Sequence, residues 1–282
     1  MKIISSIDEI RQLSVTARRD GKRIAVVPTM GFLHEGHLAL LDLAKANADL
    51  TIVTIFVNPT QFGPGEDLNA YPRDFERDCR LCRERGADVV FTPTPDEMYF
   101  PDRSTWVCEE TLSHPLCGKS RPSHFRGVTT VVAKLFNITL PDVAVFGQKD
   151  AQQVLVIKRM VRDLNFPVKI EIAPIVREPD GLAMSSRNRY LSADEHQRAL
   201  CISTSLSAAE NMLKQGELAT LEQVLDTIRQ NIRKAGGEID YVEAHDADIL
   251  QPVTENSKSL LIAVAAKFGP TRLIDNILVT LI

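Results

Sequence analysis

Two histidines, His34 and His37, stand in the stretch Pro28–His37, which reads P-T-M-G-F-L-H-E-G-H. Their spacing decides between two chemistries. A zinc protease needs H-E-x-x-H, with both imidazoles one helical turn apart on one face. Here the pattern is H-E-G-H, one residue short, with a glycine where the general-base turn would be. That argues against a metal pair. Two neutral imidazoles between a strand and a helix suit a triphosphate instead, because they can donate hydrogen bonds to phosphoryl oxygens as charge builds there. Gly31 and Gly36 carry no Cβ and let the backbone approach a ligand closely. The pair is expected on a solvent-facing turn, serving a ligand rather than capping the helix.

Two further segments offer groups of the same kind. G-Q-K-D at Gly147–Asp150 again follows an apolar run and opens a helical pattern. Lys149 can neutralise phosphate charge, and Asp150 can hydrogen-bond a ribose or orient hydrated magnesium. M-S-S-R at Met184–Arg187 supplies two hydroxyls and a guanidinium, which suit the outer phosphates of a nucleotide. No G-x-x-x-x-G-K-[ST] loop, the grip used for γ-phosphoryl transfer, is present. Together with the histidines, that favours attack at the α-phosphate, an adenylyl transfer with pyrophosphate leaving. Asn58, Gln61 and Tyr71 follow another strand-like run and are candidate substrate contacts. Gln61 is the most telling of them, since glutamine is no turn former.

The elements that must position these groups alternate strand and helix. Helices are expected over Ser6–Asp20 (opened by a capping box), His37–Asn47, Asp74–Arg85, Val128–Asn137 and Ala151–Leu164. Strands are expected over Arg23–Val27, Thr51–Val57, Asp88–Thr92, Asp142–Phe146 and Val168–Ile172. Thr51–Val57 is a continuous β-branched run, as in a strand buried on both faces. Ser104–Glu109 reads as a short edge strand that pairs with another subunit. Beyond Val176 the pattern changes to helices at Asp194–Gln215 and Thr220–Ala235, then strands at Ile239–Ala244, Leu260–Lys267 and Arg272–Leu281. The expected fold class is α/β: a Rossmann-like parallel-sheet domain over 1–176 and a smaller C-terminal α+β cap domain over 177–282.

Composition narrows the function. With 282 residues, 44% of them hydrophobic, the chain can bury a large core. A net charge of -4 speaks against a broad nucleic-acid-binding face. No stretch approaches the length of a membrane span, and no secretory succession opens the chain, so a cytoplasmic location is expected. Cys79 and Cys82 form a C-x-x-C without a second pair at zinc spacing; they are expected to be free, buried thiols on a helix.

The longer strings carry a resemblance over essentially the whole chain. P-T-M-G-F-L-H-E-G-H, F-V-N-P-T-Q-F-G-P-G-E-D-L-N-A-Y-P-R-D, H-F-R-G-V, G-Q-K-D-A-Q-Q and M-S-S-R-N-R-Y-L resemble, in order, the pantoate–β-alanine ligase family of the HxGH nucleotidylyltransferase superfamily. The resemblance implies an ATP-dependent ligase, with Mg2+, that joins (R)-pantoate to β-alanine through a pantoyl adenylate, releasing pyrophosphate and then AMP. It implies that Met30, Gly31, Phe32, Leu33, His34, Glu35, Gly36 and His37 line the nucleotide, with His34, His37 and Lys149 catalytic. His37 would be the proton donor. Gly147, Gln148, Lys149, Asp150 and Val176 would hold the adenosine and reach the phosphates, while Met184, Ser185, Ser186 and Arg187 close over the outer ones. Gln61 and Gln153 would grip pantoate, with Gln61 also beside β-alanine; Tyr71 and Arg121 match positions around the same site. A homodimer is implied as well. The rival readings are an adenylyltransferase of the same superfamily without the ligase step and a nucleotide sensor without catalysis. The acidic chain, lacking any anticodon-binding extension, argues against an aminoacyl-tRNA synthetase.

Overall fold

Ile24–Thr29, Leu50–Ile55 and Val143–Gly147 are almost uninterrupted apolar runs, the pattern of strands covered on both faces. They form the middle of a parallel sheet in the computed structural model, which describes residues 1–214 and 221–280. The expected element ends at Gln215, Thr220 and Leu281 lie outside the described residues. In chain order the first part contains β1 (Lys2–Ile4), α1 (Ile7–Arg19), β2 (Ile24–Thr29), α2 (Glu35–Asn47), β3 (Leu50–Ile55), α3 (Phe75–Glu84) and β4 (Val89–Phe91). It continues with α4 (Pro95–Met98), α5 (Cys117–Ser120), α6 (His124–Thr139), β5 (Val143–Gly147), α7 (Ala151–Asp163) and β6 (Lys169–Ala173).

The six strands run parallel in the order β1-β4-β3-β2-β5-β6. Successive strand residues face opposite sides. Ile24 and Val26 therefore join a core with the helices α1, α6 and α7. Ala25 and Val27 join the other core, with α2 and α3. Strand order reverses between β2 and β5, which opens a crevice at their carboxyl ends.

The second part contains α8 (Ala193–Lys214), α9 (Leu221–Lys234), β7 (Glu238–Asp246), β8 (Ser259–Phe268) and β9 (Thr271–Thr280). Its three strands make an antiparallel sheet in the order β7-β8-β9. Leu260, Ile262, Val264 and Ala266 of β8 pack toward α8 and α9, whereas Leu261 and Ala263 belong to the core of the first part. One strand thus seals two cores.

Three departures from the sequence reading have physical causes. β1 has three residues, too few for a periodic signal, and exists because β4 leaves an edge for it to pair with. Ser104–Glu109 forms no strand. The backbone N–H and C=O of Val107 are taken instead by the hydroxyls of Thr130 and Thr129 on α6, leaving no ladder to extend. Helix α6 starts at His124 rather than Val128, and its first turn packs against the Pro59–Gln61 turn through His124 and Gly127 while Arg126 stays exposed.

Candidate active site

The turn after β2 is held from two sides. Gly31 (φ +84°) and Phe32 (φ +50°) both adopt left-handed backbone. A side chain at Gly31 would meet Asp78 Oδ2 and Ile55 Cγ2, each at 3.0 Å. Phe32 accepts its strained conformation because its N–H and that of Leu33 both donate to the buried carboxylate of Asp78, at 2.7 Å each. The neighbouring Arg77 donates to Leu33 O at 2.8 Å. Burial pushes the Asp78 carboxyl up despite these donors.

The histidines cap the helix after all. His34 is the N-cap of α2; its Nδ1 accepts from Gly36 N at 3.1 Å, and His37 Nδ1 accepts from His34 N at 3.3 Å. Neither ring lies on a solvent-facing turn: both are half-buried and their centroids are 4.1 Å apart. Burial, then His37 and Lys149, lowers the His34 pKa to about 2; burial, then Lys149, lowers that of His37 to about 4. Both are therefore neutral near pH 7. With Nδ1 accepting from the backbone, each ring carries its proton on Nε2. The cap thus prepares two Nε2–H donors.

The turn after β5 is a single 3-10 turn, Gln148–Asp150, that runs into α7. Its carbonyls accept from Asn276 of β9, at 3.1 Å for Gln148 and 2.9 Å for Lys149. Gln148 Nε2 donates back to Asn276 Oδ1 at 3.0 Å. Lys149 stands 3.9 Å from Asp150.

The M-S-S-R segment enters a 3-10 turn, Ser186–Tyr190. Ser186 Oγ donates to Phe32 O at 3.2 Å, which ties the segment to the histidine turn. Arg187 makes a two-pronged pair with Asp67, 2.8 Å on each oxygen, and lies over the Tyr71 ring. On the far wall, Asn58 donates to Gln61 Oε1 and to Gly127 O, both at 3.1 Å. The Gln61 carbonyl is held by Arg121 Nη2 at 3.2 Å and His124 Nδ1 at 2.9 Å. Gly127 must be glycine, since a Cβ there would run into the Thr60 carbonyl.

These walls enclose one cavity of about 280 Å³, close to the lower size of small-molecule sites. It is lined by Met30, His34, Gly36 and His37 from the first turn and by Gly147, Lys149 and Asp150 from the second. Val176, Met184, Ser185, Ser186 and Arg187 line it too, as do Gln61, Gln153, Tyr71 and Arg121. Gly31, Phe32, Leu33, Glu35 and Gln148 do not reach the wall. Their backbone or side chains serve the turns themselves, and Glu35 is exposed and paired with Arg85 at 2.7 Å. Asp78, Asn58, His124 and Asn276 support the site and escaped the sequence reading as supports. A buried acid or amide inside a helix or strand is visible in sequence only as a polar residue at an apolar position, and its partners are remote.

Among the described residues, the one group with metal-ligand spacing is Glu178, Asp180 and His196, away from the cavity. His196 Nε2 there lies 2.7 Å from Asp180 Oδ2. Cys79 and Cys82 are free and buried, and burial holds the Cys82 thiol up at about 12. Among the described residues no helix is long and apolar enough to cross a membrane.

A parallel sheet with a histidine turn, a lysine turn and a serine–arginine segment meeting at its switch point defines a nucleotide-handling α/β protein. The family model described as pantoate-beta-alanine ligase matches residues 2–278, and the chain belongs to that family. A pantothenate synthetase of Thermotoga neapolitana is 54% identical over 98% of this chain and 99% of its own length. The crystal structure of pantothenate synthetase from Thermus thermophilus superimposes with a TM-score of 0.92, at 40% identity over 98% of this chain and 99% of the other. That of the pantoate-beta-alanine ligase from Francisella tularensis, complexed with beta-gamma ATP and beta-alanine, gives a TM-score of 0.81. Its identity is 33%, over 99% of this chain and 97% of the other.

Proposed function

We propose that this chain is an ATP-dependent ligase that condenses (R)-pantoate with β-alanine, by way of a pantoyl adenylate. Family membership over nearly the full length supports the overall reaction. Attack at the α-phosphate is supported by one observation: two neutral histidines with Nε2–H donors border the same cavity as Lys149, Gln61 and Gln153.

In the first step a pantoate carboxylate oxygen bonds to the α-phosphorus and the bond to the β-phosphate oxygen breaks, so pyrophosphate leaves with the electron pair. Charge grows on phosphoryl oxygens, where His34 and His37 donate hydrogen bonds and Lys149 adds a positive charge. With a pKa near 4, His37 acts as a neutral donor rather than as an imidazolium acid. In the second step the amine of β-alanine bonds to the acyl carbon, the bond to the AMP oxygen breaks so that AMP leaves with the electron pair, and the proton lost by the amine passes to the departing phosphate. Gln61 and Gln153 hold pantoate; their amides match its hydroxyls and carboxylate. Gln61 also lies beside β-alanine. Gly147, Asp150 and Val176 border the nucleoside, and Met184–Arg187 border the outer phosphates once Arg187 exchanges Asp67 for them. Enclosure protects the mixed anhydride from water.

Magnesium fits Asp150, a half-exposed carboxylate on the wall, since this ion takes few protein carboxylates and keeps water and phosphate ligands. When bound it supplies positive charge to the phosphates. The reading further assigns residues 1–176 to a nucleotide- and pantoate-binding domain and 177–282 to a cap, with a homodimer in the cytoplasm. Exchange of labelled pyrophosphate into ATP tests the scheme: it should require pantoate and proceed without β-alanine. Exchange in the absence of pantoate, or none with it, would overturn the two-step order.

A further inference from the structure

We infer that Asp275 and Asn276, adjacent on β9, are positioning residues for the nucleotide phosphates: Asn276 sets the Lys149 turn and Asp275 sets the approach to Met184–Arg187. The inference rests on the phosphate roles given to Lys149 and Met184–Arg187 above, and it adds the means by which the second sheet holds both in place.

Asn276 is buried, and every bond of its side chain goes to one turn. Its amide hydrogens are given to Gln148 O and Lys149 O, the two carbonyls that bracket the Lys149 backbone. The Cα–Cβ direction of Lys149 follows from those two peptide planes. Among the described residues no side chain nearer in sequence does this work, because α7 opens without a side-chain cap and the turn without one either.

Asp275, also buried, points the other way, as its neighbour on a strand must. Its carboxylate takes both terminal nitrogens of Arg177, at 2.7 and 3.1 Å. Arg177 in turn donates to Gly181 O at 3.1 Å and bridges to Ala183 across a short hairpin. That hairpin delivers Met184, whose N–H donates to Val176 O at 3.0 Å. One dipeptide therefore sets the distance between an ammonium and a serine–arginine segment that meet the same polyphosphate. Such a ligand rewards fixed donors, and small displacements of a positioned charge are costly in rate.

The test uses the full chain and reads pantoate-dependent pyrophosphate exchange. Asn276→Ala should raise KM for ATP about tenfold, the order expected when one buried polar partner is lost, and leave KM for pantoate unchanged. In a Lys149→Ala background the same change should add almost nothing, because its effect runs through Lys149. Asn276→Ser, which keeps one donor, should fall between wild type and Asn276→Ala, and it carries the test if the alanine variant does not fold. A merely structural Asn276 would lower exchange in both backgrounds equally and disturb pantoate as much as ATP; either result overturns the inference. If Lys149→Ala raises KM for ATP while Asn276→Ala does not, the inference fails alone. If Lys149→Ala leaves ATP untouched, the phosphate reading of Lys149 fails, and the inference with it.

Discussion

The turns after β2 and β5 lie side by side at the switch point, yet they are held in opposite ways. The histidine turn is supported mainly within the first part: its rings cap their own helix, and Asp78 of α3 takes the two backbone donors before them. Ser186, from beyond Val176, adds a tie to Phe32 O. The lysine turn has no cap and leans on Asn276, 128 residues away from Gln148 in the second sheet. A local support lets the histidine turn form with the parallel sheet. The lysine turn is complete only when the antiparallel sheet has docked. The two histidine donors proposed for catalysis are thus built into one part, and the turn of the proposed charge partner, Lys149, is held by another.

Substitutions can break this contrast, and the largest effect should come from the histidines. On the role proposed for it, His37→Ala loses a transition-state donor and should slow pyrophosphate exchange by about a hundredfold or more. It also opens the capping box, so thermal unfolding should show a loss of about 1 kcal/mol; full stability with full exchange would refute both roles. Asp78→Ala comes next, orphaning the N–H groups of Phe32 and Leu33. At about 1–3 kcal/mol for a buried unpaired donor, urea unfolding should show that loss at least once, and His34 and His37 should lose activity together. Gln61→Ala should weaken pantoate binding by about 1–3 kcal/mol in calorimetry while ATP affinity holds. Equal losses for both ligands would blur the division of the cavity.

Acid provides a smaller probe of the same region. The His37 pKa is about 4 in the folded chain, below its ordinary 6.5, so the unfolded chain binds the extra proton first. Its stabilising contribution is present above pH 6.5 and is lost as pH falls toward 4. About one unit below the ordinary pKa, a group of this kind costs roughly 1.4 kcal/mol, and His37→Gln should flatten the stability profile by that amount. The smallest effect should be that of Glu35→Gln. Glu35 is exposed and paired with Arg85, so stability should move by less than about 0.5 kcal/mol and KM for ATP should stay put. A marked rise in that KM would return Glu35 to the nucleotide wall.

The residue strings made the histidine, lysine and serine–arginine segments legible, since glycine, histidine and lysine at a strand-to-helix junction have few uses. They misled where backbone bonding is settled at a distance. Ser104–Glu109 has strand-like residues, but threonines of α6 claim its polar groups. The histidines looked like ligand groups as against caps; the structure makes them caps, and their cavity-side nitrogens remain free for the role first expected of them. Arg187, expected to be waiting for phosphate, is paired with Asp67.

Sequence by itself determined the alternating α/β plan, the family and the chemical types gathered for a nucleotide, because strand burial and turn chemistry are local properties of residue pattern. Only the tertiary structure decided which of those residues face the cavity, which serve the turns, and that Asp78 and Asn276 hold them. A buried polar side chain is defined by its partners, and those partners come from segments far apart in the chain.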